Sequence, residues 1–206
     1  MIIAECCTNW TDLDEARQMI RVAANANPAG LVKFQLYNAA DDRGKPHYEW
    51  VKAHELGFDD AKMLFDYGRA YGQEVFFSVF GVKYVEWGER IGVKRYKLAY
   101  GVDNEIAYAA ICTGKPYWWS GHNMYCVPKY PAALADLHFT GDWEGYSDHT
   151  IGVAAPMLAI SRGIGVVEKH FCLAHNPASP DDAWSMTPDE LRKLAMWETV
   201  CREVNG

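Results

Sequence analysis

The sequence predicts an α/β protein in which helices pack outside a parallel sheet. Short, almost continuously apolar segments alternate with amphipathic helical segments along the whole chain, and strands buried on both faces have this composition. No G-x-G-x-x-G follows the first apolar segment, which argues against a dinucleotide-binding sheet. An open doubly wound sheet and a closed barrel both satisfy this alternation.

The segments with the composition of buried strands are, in chain order, 1–4, 31–35, 75–80, 96–100, 117–120, 124–127, 145–147 and 165–171. Helical spacing of apolar residues predicts helices over 12–25, 50–56, 59–71, 82–91, 104–113 and 151–162. A closing helix has the clearest start, because Thr187 can cap it, Pro188 suits its first position and Glu190 completes a capping box.

Composition predicts one well-packed domain over residues 1–206. Half of the 206 residues are hydrophobic and 14% are aromatic, which argues against disorder. The formal net charge of -7 argues against a nucleic-acid or anionic-membrane partner. No apolar stretch approaches the roughly 20 residues that cross a bilayer, and the N-terminus lacks the basic region of a signal peptide. We therefore expect a cytoplasmic protein whose six cysteines are reduced.

Two lysines lie inside predicted buried strands. An ammonium group at such a position is costly unless it meets an anion or a carboxylate. A structural ion pair would explain either Lys33 or Lys97 alone. Because both lie near the carboxyl ends of predicted parallel strands, they favour a converging anion site at the edge where barrels and open sheets bind ligands.

His149 and His170 are the best candidates for metal ligands. Each ends a predicted strand, and imidazole is a common ligand of borderline divalent metals. Two histidines alone are also compatible with structural roles. Asp148 and Glu168 could orient these rings or act as further ligands.

The block from Gly145 to Gly152, followed by Val167 to Phe171, resembles the signature of the N-acetylneuraminate (sialic acid) synthase family. Further blocks resemble the family in order along nearly the whole chain. They are 2–5 with Asn9, 32–35, 55–60, 76–78, 96–101, 113–116, 126–131, 179–185 and 188–191.

This resemblance implies a TIM-type (β/α) barrel that condenses phosphoenolpyruvate with the aldehyde of an N-acylated amino sugar similar to N-acetylmannosamine. The products would be a 2-keto sugar acid and phosphate. The implied cofactor is a divalent metal, typically Mn²⁺ with Mg²⁺ or Co²⁺ as alternatives, on His149 and His170. The resemblance further implies catalytic roles for Lys33, Lys97 and Glu168 and substrate-binding roles for Gln35, Ser78, Tyr130, Ser147 and Asp181. Among these, Lys33, Lys97 and Ser147 would hold phosphoenolpyruvate, while Gln35, Tyr130 and Asp181 would face the sugar.

The chain departs from the family between its fifth and sixth strands. Only three residues separate Ser120 from Met124, whereas a parallel crossover needs about a dozen. We therefore expect a reduced barrel without the intervening helix, with these strands merged, paired as a hairpin or outside the barrel. Trp118, Trp119 and Tyr125 would cover the gap or form the self-association surface of a homodimer, and we favour the covering role.

Other departures affect the proposed chemistry. Tyr100-Gly101-Val102 stands where the family has Ser-Gly-Glu, so a phosphate-side hydroxyl and a sugar-side carboxylate are replaced. The family's C-terminal antifreeze-like domain is not expected within residues 1–206. Three functions stay open: a synthase-like enzyme with an altered acceptor, a metal-dependent aldolase or lyase of other specificity, and a degenerate paralogue that binds a ligand or partner without turnover. We favour an enzyme, because both histidines and both buried lysines are retained.

Overall fold

A sheet of parallel strands forms the centre of the computed structural model, which describes residues 1–205. The strands are β1 (Ile2–Glu5), β2 (Leu31–Leu36), β3 (Glu74–Val79), β4 (Tyr96–Leu98), β5 (Tyr117–Trp119), β6 (Met124–Cys126), β7 (Gly145–Asp148) and β8 (Val166–His170). Their order is β5-β4-β3-β2-β1-β8-β7-β6, so the first and last strands in the chain are neighbours.

Helices occupy most of the connections. They are α1 (Leu13–Ala26), α2 (Tyr48–Ala53), α3 (Phe58–Ala70), α4 (Val82–Ile91), α5 (Asn104–Cys112), α6 (Ala154–Ser161) and α7 (Pro188–Asn205). The predicted capping box of α7 is confirmed, since the Thr187 N–H donates to the Glu190 carboxylate at 2.8 Å. Among the described residues, no helix is both long enough and apolar enough to cross a membrane.

The sheet curls until its two edge strands meet, because Ser120 and Met124 form a parallel bridge. The stagger of the barrel follows from the strand register. When the residue pairing is followed from Cys126 on β6 across every strand to β5, the residue reached is Gly114. The bridge that closes the barrel instead places Cys126 opposite His122. This displacement of about eight residues is the stagger of a (β/α)₈ barrel. The prediction of a TIM-type barrel is confirmed, and the open sheet is excluded.

The expected loss of one helix is also confirmed, because a short turn alone joins β5 to β6. None of the three expected rearrangements occurs, however, since β6 keeps its place and pairs in parallel with β7. A parallel crossover normally returns the chain to the opposite end of the sheet before the next strand begins. Here β6 begins beside Ser120, the residue that follows β5, so the chain does not need to return along the barrel. Asn123 secures this step by accepting from the Trp119 N–H at 2.7 Å and donating to the Tyr117 carbonyl at 3.3 Å.

Aromatic rings fill the space beside this turn. Trp118 is buried inside the barrel against Phe76, with ring centroids 5.9 Å apart. Tyr125 packs outside it against Phe139 and Tyr146, at centroid distances of 5.1 Å and 5.7 Å. This packing agrees with the favoured covering role, while the homodimer stays a prediction.

Candidate active site

The side chains inside the barrel change from apolar to polar between one inward-facing position of a strand and the next. Successive inward-facing positions of a strand are two residues apart. The apolar positions form one cluster that fills one end of the barrel, and they are Ile3, Leu31, Phe76, Trp118, Met124 and Val166. Two residues further along each of these strands, in the same order, stand Glu5, Lys33, Ser78, Ser120, Cys126 and Glu168.

These polar side chains surround a cavity of about 270 Å³ at the carboxyl ends of the strands. All the site residues predicted from the sequence line this cavity, namely Lys33, Gln35, Ser78, Lys97, Tyr130, Ser147, His149, Glu168, His170 and Asp181. The structure therefore brings the predicted lysines and histidines to one end of the barrel. Their individual roles stay predictions.

Glu168 is the centre of a buried ion cluster. Its carboxylate lies 2.9 Å from the Lys33 ammonium and 3.7 Å from the Lys97 ammonium, and it accepts from the Ser147 hydroxyl at 3.1 Å. Burial alone raises the pKa of Glu168, but the two ammonium groups outweigh it and lower that pKa to about 2. Glu168 is therefore ionised at neutral pH. Glu5 contacts the Lys33 ammonium at 2.5 Å from the other side.

Lys97 is the less satisfied of the two cations. Its ammonium donates to the Ser120 hydroxyl at 2.7 Å and to the Leu98 carbonyl at 3.0 Å, and the Glu168 carboxylate is more distant. Burial lowers the pKa of Lys97 to about 8, and the attraction of Glu168 only partly offsets this effect. Lys33, by contrast, has a raised pKa, because Glu168 and Glu5 together outweigh its burial.

The two predicted metal ligands lie side by side with uncharged rings. Their ring centroids are 5.5 Å apart. Burial lowers the pKa of His149 to about 4 and that of His170 well below its ordinary value, so both imidazoles are neutral at pH 7. Within residues 1–205, the buried Nδ1 of His170 has no hydrogen-bond partner, and it lies 3.8 Å from the Asp181 carboxylate. Neutral imidazoles, an unpartnered ring nitrogen and a nearby carboxylate are donors that fit a divalent metal ion.

The remaining predicted residues border the cavity. Gln35 follows Lys33 on the inner face of β2, and Ser78 pairs in register with both Gln35 and Lys97. Tyr130 lies at the mouth, half exposed, with its ring 4.4 Å from that of His149.

Seven further residues line the cavity. Phe80, Ala99 and Tyr100 are among them, and sequence reasoning missed the other four, Glu5, Cys7, Ser120 and Cys126. Three of them show the signal described above, a polar residue two positions after an inward apolar one, but Cys7 follows the strand and has no such signal.

Asp148, considered as an orienting group or ligand, proves to be elsewhere. Its carboxylate contacts the buried Lys169 ammonium at 2.5 Å and accepts from the Thr150 N–H at 3.0 Å. Asp148 therefore lies in a separate structural ion pair, because neighbouring residues of β7 face opposite sides of the sheet.

The fold and this cavity define a (β/α) barrel with a polar site at the carboxyl ends of its strands. Residues 123–204 match the model of the NeuB family. The chain is 28% identical to N,N'-diacetyllegionaminic acid synthase of Legionella pneumophila, over 94% of this chain and 69% of that protein. It is 29% identical to pseudaminic acid synthase of Helicobacter pylori, over 90% of this chain and 69% of that protein.

Among solved structures, the sialic acid synthetase of Leptospira borgpetersenii in complex with citrate matches with a TM-score of 0.83 and 26% identity. That match covers 100% of this chain and 84% of the synthetase chain. Residues 123–204 are thus similar to the NeuB family, and the similar proteins include sialic acid, legionaminic acid and pseudaminic acid synthases. The resemblance predicted from the sequence is confirmed.

Proposed function

We propose that this chain condenses phosphoenolpyruvate with the aldehyde of an N-acylated amino sugar similar to N-acetylmannosamine. The products are a 2-keto sugar acid and inorganic phosphate. One observation carries the proposal: two buried ammonium groups and two uncharged imidazoles line the same cavity. Relatives that are named as synthases of such sugar acids support it.

The charges of the cavity favour a metal-assisted reaction. Lys33 and Lys97 face three carboxyl groups, those of Glu5, Glu168 and Asp181. Phosphoenolpyruvate carries a phosphate and a carboxylate, which such a cavity would not attract by itself. A divalent cation beside the carboxyl groups would offset their negative charge. We propose that His149 and His170 hold this ion, for which the family resemblance implies Mn²⁺, with Mg²⁺ and Co²⁺ as alternatives.

In the reaction, C3 of phosphoenolpyruvate bonds to the aldehyde carbon, the oxygen of a water molecule adds at C2, and the bond from C2 to the phosphate oxygen breaks. When bound, the metal ion supplies Lewis-acid polarisation of the acceptor aldehyde. The lysines hold the donor's anionic groups and stabilise the negative charge of the departing phosphate. Lys97 is the expected primary contact, because its ammonium has the weaker partners in the free protein.

The pKa values assign different roles to Glu168 and Lys97. A carboxylate with a pKa of about 2 is a weak base, so Glu168 is expected to position the two ammonium groups instead of accepting a proton. The Lys97 ammonium, with a pKa of about 8, is close enough to neutral pH to donate a proton during the reaction.

A second function is favoured by one observation. Tyr100 lines the cavity where the family has a serine, so part of the family's substrate contacts is lost. A metal-dependent aldolase or lyase of other specificity would use the same lysines and histidines. A chain that binds a ligand or partner without turnover would keep only the ion cluster.

The test is phosphate release from phosphoenolpyruvate with a panel of N-acylated amino sugars in the presence of Mn²⁺, Mg²⁺, Co²⁺ or Zn²⁺. We expect release that depends on the sugar and that is lost in Lys97→Met. The matched control, Lys129→Met, removes an exposed ammonium outside the cavity and should leave the rate unchanged. Cleavage of keto acids without phosphoenolpyruvate would favour the aldolase. Failure to bind phosphoenolpyruvate in calorimetry, with no turnover, would contradict the proposal.

A further inference from the structure

A cysteine thiol lies among the candidate metal donors of the cavity. Cys7 follows β1, and its Sγ lies 2.8 Å from the Asp181 carboxylate. The donor atoms of Cys7, His170 and Asp181 all lie within 4.8 Å of one another. Asp181 thus connects the thiol to the ring that the family resemblance assigns to the metal.

A second observation indicates that this cluster is incomplete without a ligand. The His170 ring is buried, and its Nδ1 has no hydrogen-bond partner in the described part of the chain. A buried nitrogen without a partner is unfavourable, because it has lost its hydrogen bonds to water and has gained none in the protein. The Asp181 carboxylate lies 3.8 Å from this nitrogen, beyond hydrogen-bond distance. An ion bound between these groups would satisfy both.

The backbone holds Cys7 in place. Its φ of 41° lies in the left-handed region, which a residue with a side chain seldom adopts. The Cys7 N–H donates to the Glu5 carboxylate at 2.7 Å, and this bond ties the loop to the ion cluster. The thiol is therefore presented to the cavity by a conformation that glycine would adopt with less strain.

We propose that the Cys7 sulfur, as a thiolate, joins His170 and Asp181 as a ligand of the metal ion in this cavity, so that the site selects a thiophilic metal such as Zn²⁺ over Mn²⁺. This inference rests on the metal site of the proposed function and changes its expected metal. Thiolate ligands favour zinc, whereas manganese and magnesium prefer carboxylate, carbonyl and water oxygens. With His149, the donor groups are two imidazoles, one thiolate and one carboxylate. The thiol proton of Cys7 leaves to solvent when the metal binds.

The test uses Co²⁺ as a spectroscopic probe of the metal-free 206-residue chain. A thiolate bound to Co²⁺ gives a sulfur-to-metal charge-transfer band in the near ultraviolet, which histidine and carboxylate ligands do not give. We expect this band in the unmodified chain and its loss in Cys7→Ser. Cys7→Gly is the second variant, because glycine accepts the positive φ and should fold even if serine is strained. Cys112→Ser, which removes an exposed thiol on α5, is the control and should keep the band.

Competition measures the selectivity. Zn²⁺ should displace Co²⁺ from the unmodified chain, and Mn²⁺ should not. Mutation of a residue that only hydrogen-bonds to a metal ligand already lowers metal affinity roughly tenfold or more. Loss of a ligand itself should lower it at least as much. We therefore expect the preference for Zn²⁺ over Mn²⁺ to fall by at least about tenfold in Cys7→Gly.

Several outcomes would overturn the inference. A band that persists in Cys7→Ser, or one that is lost only in Cys126→Ser, would assign the thiolate elsewhere; Cys126 Sγ lies 3.9 Å from His149 Nδ1. Co²⁺ bound without the band would leave the two-histidine site standing and remove Cys7 from it. If no Co²⁺ bound, the inference would fail together with the metal in the proposed function. If condensation failed while the band was intact, the proposed function would fail and the Cys7 ligand would stand.

Discussion

Glu168→Gln tests whether the ion cluster at the centre of the cavity stabilises the fold through charge. Glutamine keeps the size of the side chain and can still accept from the Ser147 hydroxyl, so the main loss is one negative charge between Lys33 and Lys97. The pKa of Glu168 falls from its ordinary 4.5 to about 2 on folding. This change corresponds to about 3 kcal/mol of stability at neutral pH. Breaking a buried ion pair typically costs about 3–5 kcal/mol, which agrees.

The pH dependence separates charge from packing. A carboxylate with a lowered pKa stabilises the folded state fully above about pH 4.5 and loses that contribution as the pH falls towards 2. The gap in unfolding free energy between the unmodified chain and Glu168→Gln should therefore be about 3 kcal/mol at pH 7 and less than half of that at pH 3. Urea denaturation followed by tryptophan fluorescence at both pH values measures this gap.

The matched control is Glu89→Gln, which removes a carboxylate that contacts the Lys115 ammonium at 2.7 Å on the protein surface. An exposed pair of this kind contributes at most about 1 kcal/mol. A loss below about 1 kcal/mol in Glu168→Gln at pH 7, or a loss that is equal at pH 7 and pH 3, would refute the reasoning.

Three further predictions concern the lysines and the turn between β5 and β6. Because the pKa of Lys97 is about 8, its ammonium loses its proton above pH 8, and kcat/KM for phosphoenolpyruvate should fall roughly tenfold per pH unit. Lys97→Arg should remove this fall over the same pH range. An identical pH profile in the variant would contradict the assignment to Lys97. Asp148→Asn leaves the fully buried Lys169 ammonium without a negatively charged partner. The melting temperature should therefore drop by roughly 10 °C. Calorimetry should show that adding Lys169→Met recovers part of the loss, and no recovery would argue against a charge effect. Asn123→Ala removes the two side-chain hydrogen bonds that hold the turn, and this should lower the stability of the turn by about 1 kcal/mol. The amide hydrogens of β5 and β6 should then exchange with solvent about fivefold faster, while those of β3 should not change. Equal exchange in both chains would count against a stabilising role of Asn123.

The fold was predictable to a considerable extent, because local patterns encode it. Every predicted strand is present, and the capping box at Thr187 begins α7 where expected. Alternation alone left a barrel and an open sheet equally acceptable, and the family resemblance favoured the barrel. The connection at Asn123 was the failure, since the crossover rule assumes that consecutive parallel strands start at the same level.

The candidate site was predicted by residue type more than by geometry. Lys33 and Lys97 stood out because charged groups inside apolar strands need partners, and both line the cavity. Glu5 matched a family block without a predicted role, and Asp148 was considered for a place in the site that it does not have. Charge type alone does not show which face of the barrel a carboxylate occupies. That depends on the parity of its position along the strand.

By itself, the sequence determined the parallel α/β class, the strands that would be buried, and which side chains would need a charged or metallic partner. These follow from local composition and from the cost of burying charge. The tertiary structure alone decided that β5 and β6 stay side by side in the barrel through a parallel bridge, and that Cys7 and His170 lie beside Asp181. The physical reason is that barrel stagger and loop conformation depend on all the strands together. Residues far apart in the chain become neighbours only when the last strand closes on the first.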